Sequence, residues 1–250
     1  VMREAAAANV KCHFGMVFGI CGEKGSELKR TDPARKWKGR YVFRGSDVKD
    51  EHYQAAIFNE LSSTPATLEA SKSVDAYGLM PGNAIGQCDA EQAYVQSELG
   101  GITTWVTLPK DRWPESFKKF RSPVVILRLS LYGHPDSGGC WEAHCKSKLE
   151  AGGFKAIPDW TSVFWHPKLK LLLMVYVDDF KLAAKHAEHD ALWAAIRKVI
   201  DMDPETLDGR FLGCSHERFT TSVRSVRALL DQHPGYHPRQ KHGGCVVGAS

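Results

Sequence analysis

Alternating or continuous apolar positions mark several short segments of the chain as β-strands. The strands are predicted at 38–45, 103–108, 124–132, 162–166, 170–176 and 180–184. Only Val177, Asp178 and Asp179 separate the last two segments, which predicts a tight hairpin with two acids at its tip.

Helical spacing of apolar residues is clearest at 186–202, where Leu192, Ile196 and Val199 recur on one side. Further helices are predicted at 65–77 and 140–151, with a helical turn at 91–99. Polar, Gly- and Pro-containing stretches predict a loop at 22–37, a turn at 135–139 and a loose tail after 232. This mixed order of elements favours an α+β fold, with an antiparallel sheet covered by helices on one face.

Length and composition are those of an ordinary globular protein of one large or two small domains. The chain has 250 residues, of which 43% are hydrophobic and 25% charged. No apolar run approaches the roughly 18 residues that a membrane-spanning helix needs. The net charge of +4 permits an anionic partner without requiring one. Because the chain starts at Val1, we expect a fragment of a longer polypeptide or an incomplete gene model.

Seven cysteines, scattered without CxxC spacing, indicate neither a zinc finger nor a disulfide framework. A reducing intracellular compartment fits them best. Nucleophile elbows, phosphate-binding loops and zinc-protease motifs are also missing from the sequence.

The candidate chemistry lies where the apolar run 171–177 leads directly into Asp178 and Asp179. Burying an unpaired carboxylate costs several kcal/mol, so such acids are usually paired or bound to a metal. The alternative is a polar hairpin tip that simply faces solvent. Asp89 is a further acid, with the aromatic Tyr94 five residues later. Carboxylates on separate strands are what a polymerase uses to hold two divalent ions about 4 Å apart.

Five blocks, in order, are similar to the reverse transcriptases of copia-type retrotransposons. Residues 176–179 read YVDD and resemble the YxDD box in its copia form. The Asp89 segment resembles the preceding acidic motif of that family. The other three blocks are 38–45, 130–133 with Trp141, and 211–213. The resemblance covers residues 38 to about 215.

The resemblance implies an RNA-directed DNA polymerase with a right-hand fold. Residues 1–37 would be an N-terminal extension and loop, 38–218 the fingers and palm, and 219–250 a partial thumb or a disordered tail. Asp89, Asp178 and Asp179 would be the catalytic acids. With the backbone carbonyl of Ala90, they would hold two Mg²⁺ ions, for which Mn²⁺ can substitute.

By the same resemblance, Lys38 and Arg40 would bind the triphosphate, and Tyr94 would pack under the incoming sugar. A solvated strand edge is the alternative for the two basic residues, and a core aromatic is the alternative for Tyr94. Tyr176, Val177 and the turn formed by Phe211, Leu212 and Gly213 would lie along the primer strand.

The implied partners are a primed RNA or DNA template and dNTPs, in the cytoplasmic particle of the element. No RNase H, integrase or protease motif is present in the sequence. The chain also departs from the family at 134–140, where the usual Lys, Gln and Arg are missing. A truncated, non-catalytic remnant that binds nucleic acid weakly therefore stays open beside the active enzyme. An unrelated α+β domain is a third alternative.

Overall fold

The computed structural model describes residues 1–58, 65–206 and 210–216, together with 221, 222, 224, 225 and 228. Its helices are α1 (Met2–Ala7), α2 (Leu68–Gly78), α3 (Ser137–Ala151) and α4 (His189–Arg197). Its strands are β1 (His13–Lys24), β2 (Lys36–Phe43), β3 (Asn83–Asp89), β4 (Thr104–Thr107), β5 (Val125–Ile126), β6 (Lys155–Ala156), β7 (Val163–His166), β8 (Leu171–Tyr176), β9 (Asp179–Lys185), β10 (Arg210–Phe211) and β11 (Cys214–Ser215). The mixed α+β class predicted from the sequence is confirmed.

Two compact units divide the chain. The first comprises Val1–Ser63 and Gln92–His144, and the second comprises Thr64–Glu91 and Cys145–Ser250. The predicted assignment of 1–37, 38–218 and 219–250 to an extension, fingers with palm, and thumb stays a prediction. Apart from a few positions, 219–250 lies outside the described residues.

The first unit contains a four-stranded sheet in the order β2-β1-β4-β5. Its central strand β1 pairs in parallel with β4 over its first four residues and antiparallel with β2 over its last eight. Val17, Phe43, Val48 and Val106 form the buried core beside this crossing. The sequence analysis predicted no strand at 13–24, and the loop predicted at 22–37 is shorter than expected.

Beyond Val17, strands β1 and β2 continue as a two-stranded ribbon that no third strand of the described chain joins. Most of its side chains are exposed. Isolated two-stranded ribbons gain little stability in water, so this ribbon depends on the core at its base.

The second unit contains a five-stranded sheet in the order β3-β9-β8-β7-β6, antiparallel throughout. This agrees with the antiparallel sheet predicted from the sequence. Five consecutive residues of β9, from Phe180 to Ala184, are buried. Burying a side chain as large as Phe180 contributes about 1.5–3 kcal/mol, so β9 is one of the core strands of this unit, together with β3.

Helices cover both faces of this sheet, which corrects the prediction of helices on one face. Ile85 and Gly86 are neighbours on β3, so they point to opposite faces. A Cβ on Gly78 of α2 would overlap Ile85, whereas a Cβ on Gly86 would lie 2.9 Å from Nε1 of Trp193 in α4. The physical reason is that β3 and β9 are each buried at five consecutive positions, so both of their faces need a covering layer.

Three predicted elements have different bounds in the structure. The strand predicted at 124–132 is reduced to β5, because beyond it the backbone bonds to separate segments: Leu127 N donates to Thr104 O at the start of β4, and Ser130 N donates to Ser97 O. The helix predicted at 186–202 is α4, preceded by a 3₁₀ turn at His186–Glu188. The turn predicted at 135–139 ends earlier, because α3 begins at Ser137.

Every helix among the described residues is too short or too polar to cross a bilayer.

Candidate active site

The β8–β9 hairpin places two acids at one end of the five-stranded sheet. Tyr176 pairs with Asp179, which leaves Val177 and Asp178 as a two-residue turn. Most residues of the apolar strand β8 are buried, and the strand leads directly into the turn. Both aspartates are therefore held at a fixed strand end, as the hairpin predicted from the sequence requires.

The third acid reaches the same place from a distant part of the chain. β3 pairs with β9 over seven residues, and in that register Asp89 is directly opposite Asp179. The backbone continues the contact, since Ala90 N donates to Asp178 O at 2.7 Å. The structure thus brings Asp89, Asp178 and Asp179 together.

The three carboxyl groups repel one another. Partial burial raises the pKa of Asp179 to about 7, with further contributions from the charges of Asp178 and Asp89 and from a hydrogen bond with Asp89. A proton held in the hydrogen bond between Asp179 and Asp89 removes one negative charge from the cluster. A bound cation would remove the same charge and displace that proton.

Mg²⁺ suits this donor set because it prefers oxygen ligands and is often held by one or two carboxylates plus waters and phosphate oxygens. In the described part of the chain, no three or more His, Cys, Asp or Glu side chains are already arranged around a common metal position. The acids are close enough to repel but do not form a complete protein shell.

The turn between the acids has an uncommon backbone conformation. Val177 has φ = 58°, a region that β-branched residues rarely occupy, whereas Asp178 does not have a positive φ. This combination corresponds to a type II′ turn, which normally has glycine in the first central position. Strain of this kind costs about 1–3 kcal/mol and is concentrated at functional sites.

A backbone segment beside β3 holds the Asp89 end of the site. Asp203 N donates to Asp89 O at 2.9 Å, and Glu91 N donates to Asp201 O at 2.9 Å. Arg197 of α4 donates to Asp203 O at 3.1 Å. These bonds fix the main chain on both sides of Asp89.

A buried charge network lies on the α2 side of β9. Lys181 is 0% exposed and forms an ion pair with Asp75 of α2. Its ammonium also donates to Ser71 Oγ at 3.2 Å and lies 3.4 Å from Nε2 of His216. The same His216 nitrogen is 3.4 Å from the second Asp75 oxygen.

This network also reaches the β10–β11 hairpin. The Lys181 ammonium lies 4.8 Å from the ring centroid of Phe211, within range of a cation–π contact. Lys181 is two residues after Asp179 and therefore on the same face of β9. The residue that sequence reasoning missed is thus Lys181. Its signal was a lone charge inside an otherwise apolar strand.

The residues predicted to follow the primer lie in the second unit with the acids. Tyr176 and Val177 are half-buried at the hairpin end, and Phe211 belongs to the core cluster under α2. Leu212 and Gly213 form the two-residue turn of β10–β11, both with positive φ as in a type I′ turn. Their role at a primer stays a prediction.

The residues predicted to bind the nucleotide lie in the first unit. Lys38 and Arg40 are exposed on β2. Tyr94 is half-buried, and its ring centroid lies 4.4 Å from that of Tyr132 in an edge-on contact. Their nucleotide-binding roles also stay predictions.

No family model matches this chain, and no curated protein matches it. Among solved structures, the chain has a weak likeness to telomerase from Candida albicans, determined in complex with a TWJ fragment of telomeric RNA. The TM-score is 0.37 and the sequence identity is 8%. The likeness covers 79% of this chain and 42% of that chain, so this chain spans less than half the length of the matched protein.

Proposed function

We propose that this protein is an RNA-directed DNA polymerase of the copia type, built on a right-hand palm, that extends a primer by two-metal nucleotidyl transfer. The observation that carries the proposal is the register of β3 and β9, which sets Asp89 opposite Asp179 beside the Asp178 turn. The YVDD sequence at this turn supports the same reaction, because the acids named by the motif are the ones that meet.

In this proposal Asp89 and Asp178 would hold the ions, with Asp179 beside them and the backbone carbonyl of Ala90 as a further ligand. The chemistry supplied by bound Mg²⁺ or Mn²⁺ is activation of the primer hydroxyl and neutralisation of the triphosphate and pyrophosphate charge. The contribution of the protein is to position the acids. The paired strands and the backbone hydrogen bond from Ala90 N to Asp178 O hold them in place before substrate binds. If a cation were bound, its charge would favour the deprotonated form of Asp179, whose pKa is raised without it.

The remaining roles follow the resemblance. Lys38 and Arg40 grip the triphosphate, and Tyr94 limits space for a 2′-hydroxyl. Tyr176, Val177 and the 211–213 turn line the primer. The partners are a primed RNA or DNA template and dNTPs.

Primer extension on an RNA template with Mg²⁺ and dNTPs tests the proposal. We expect Asp178→Asn to reduce extension by at least about 10³-fold, because it removes a ligand whose charge is needed in the transition state. Asp203→Asn is the matched control, since it removes an exposed carboxylate near Asp89 that is given no catalytic role. It should stay within about threefold of wild type.

Extension that survives Asp178→Asn rejects the mechanism. A wild-type chain that binds primer–template but does not extend it with Mg²⁺ or Mn²⁺ rejects the polymerase and selects the non-catalytic remnant.

A further inference from the structure

Strand β2 is the outer strand of the four-stranded sheet, and one of its edges pairs with no strand of the described chain. The N–H of Phe43 donates to Tyr132 O at 2.7 Å and not to β1. Residues of an antiparallel pair alternate between bonded and non-bonded positions. Trp37, Gly39 and Tyr41 therefore point their N–H and C=O groups the same way as Phe43, away from β1. We call the backbone of these three residues the β2 edge.

The β2 edge is open to solvent. Trp37 is 71% exposed and Tyr41 is 42% exposed. A Cβ on Gly39, between them, would meet no atom within 4 Å. In the part of the chain that the structure describes, no backbone group bonds to the outward groups of these residues. Such an edge can accept an extended segment of another chain as an added strand.

Cations alternate with the residues of the β2 edge along the strand. They are Lys36, Lys38 and Arg40, which share one face at intervals of about 7 Å. Lys24 of β1 is directly opposite Lys36 and lies on the same face. Across the described ranges, none of these four cations forms an ion pair. Arg40 instead lies over the Tyr132 ring at 5.8 Å.

The acid of the ribbon does not compensate these charges. Glu23 of β1 is opposite Trp37 and therefore on the other face, where Arg35 pairs with it at 2.7 Å. A strand added at the β2 edge would place every second side chain beside a cation.

These charges determine which strand fits. A second copy of β2 would have to pair its own outward-facing residues with Trp37, Gly39 and Tyr41, which sets the cations of the two strands directly opposite one another. Edge lysines prevent pairing between like strands in this way. Acids at alternate positions of an added strand meet the same cations favourably. On the other face, a large apolar side chain can cover Gly39, which has no side chain of its own.

We propose that the β2 edge binds an extended acidic segment of another protein as an added antiparallel strand, with acids beside Lys36, Lys38 and Arg40 and an apolar residue opposite Gly39. Backbone hydrogen bonds provide the affinity, and the alternating side chains provide the selectivity. Edge pairing uses backbone groups, whereas the proposed triphosphate contacts use the side chains of Lys38 and Arg40. Binding needs neither the acids of β3 and β9 nor a divalent ion, so Asp178→Asn should bind the segment like wild type.

Titration of a peptide into the ¹⁵N-labelled full chain, followed by NMR at low salt, tests the proposal. The probe is Glu-Val-Glu-Phe-Glu-Val-Glu, whose Phe would lie opposite Gly39. Amide exchange at Trp37, Gly39 and Tyr41 should slow about tenfold when most of the chain is bound. The N–H of Lys38 faces β1, so its exchange should change little.

Gly39→Pro is the decisive variant. Proline removes an outward N–H without removing a bond to β1, and its ring lies where the added strand would pair. It should weaken binding by at least about tenfold. Gly39→Ala is the matched control, because it keeps the N–H and its Cβ meets no atom within 4 Å. It should bind within about twofold of wild type.

Two N-methylated peptides make the same test without changing the protein. Methylation of the central Phe nitrogen, which faces β2 in an antiparallel strand, should weaken binding by about tenfold. Methylation of a neighbouring Glu nitrogen, which faces away from β2, should have an effect of less than about threefold. Replacing the four Glu by Gln should weaken binding and remove most of its salt dependence.

Equal binding by Gly39→Pro and Gly39→Ala overturns the proposal, as do equal effects of the two methylations, because charge alone would then hold the peptide. Absence of binding to the wild-type chain at about 1 mM peptide also overturns it. A dimer in sedimentation that Gly39→Pro dissociates and Gly39→Ala does not would assign the β2 edge to a second copy of this chain, against the acidic segment.

Discussion

Strands β9 and β2 both carry cations, but their surroundings are opposite. Lys181 of β9 is fully buried and has Asp75, Ser71 and His216 around its ammonium. The cations of β2 are exposed and have no acid on their face. The second unit thus neutralises a buried charge from its own chain, whereas the ribbon of the first unit leaves its charges exposed to solvent.

This difference indicates how charged side chains that stabilise the fold can be distinguished from charged side chains that bind another molecule. A buried ion must be paired inside the fold, because leaving it unpaired costs several kcal/mol. An exposed, unpaired cation costs only tenths of a kcal/mol and contributes little to stability. Unpaired charge in half-buried or exposed positions is therefore the better indicator of binding.

The largest expected effect comes from breaking the buried pair. Lys181→Met should lower the free energy of unfolding by about 3–5 kcal/mol, because Asp75 is left buried without its cation. Lys38→Met on the exposed ribbon should change it by less than about 0.5 kcal/mol. Urea unfolding of both variants measures the contrast.

The double variant Lys181→Met/Asp75→Leu is the control for that contrast. It removes both charges and should recover at least about half of the loss. If the single variant is as stable as wild type, the buried network does not stabilise the fold.

A buried basic side chain that stays neutral in the folded protein should make the stability depend on pH. His134, buried in the first unit, has its pKa lowered to about 4 by burial and by the charge of nearby His13. Its Nδ1 accepts from Asp136 N at 3.1 Å, and its Nε2 lies 3.1 Å from Thr104 Oγ1, which suits the neutral ring. Because the folded state binds the proton less well than the unfolded state, stability is present above pH 6.5 and falls as pH drops towards 4.

We expect that fall to be about 3 kcal/mol, from the size of the pKa shift. Urea unfolding at pH 7, 5.5 and 4, on wild type and His134→Gln, measures it. The glutamine variant should be less sensitive to pH in this window. Identical profiles would mean that His134 does not titrate in the folded protein.

The acids of the candidate site should respond to an added cation. At ten times its dissociation constant, Mg²⁺ should add about 1.4 kcal/mol to the stability of the wild-type chain, a rise in melting temperature of about 3–5 °C. Asp178→Asn should lose most of that rise. Lys24→Ser, at the exposed end of β1, should keep it. An equal rise in all three proteins would mean that the ion binds elsewhere.

The smallest expected effect comes from giving the ribbon the acid that it lacks. Lys24→Glu places opposite charges at the Lys24↔Lys36 pair and should stabilise the protein by about 0.2–1 kcal/mol. Lys24→Gln removes only the repulsion and should gain less. Both gains should shrink in 1 M salt, where the Debye length is about 3 Å. Thermal melts at two salt concentrations decide between these outcomes.

Part of this site was readable from the sequence because its pattern is local. The apolar run 171–177 leads into Asp178 and Asp179, and a β-hairpin follows from the three-residue separation of two strands. The proximity of Asp89 was expected from the resemblance alone. Its direct position opposite Asp179 depends on long-range pairing, which periodicity cannot reveal.

Other features escaped because their signals are weak or ambiguous. β1 contains three glycines and many exposed positions, so its apolar residues do not form a clear alternating pattern. The 124–132 segment has strand-like composition but finds only a two-residue partner in β4. A charge within β9 could have been an exposed edge residue, and its burial became evident only with Asp75 placed beside it.

The seven-residue pairing of β3 with β9 has a consequence for which kinds of sequence change the second unit can survive. A slip of a single residue would turn every side chain of β9 to the opposite side. Lys181 would then be forced towards α4, away from Asp75, and Phe180 would take its place. An insertion or deletion within 180–184 should therefore abolish folding, whereas conservative replacements there should be tolerated. Chains that keep the same number of residues through β9 are therefore the ones expected to remain folded.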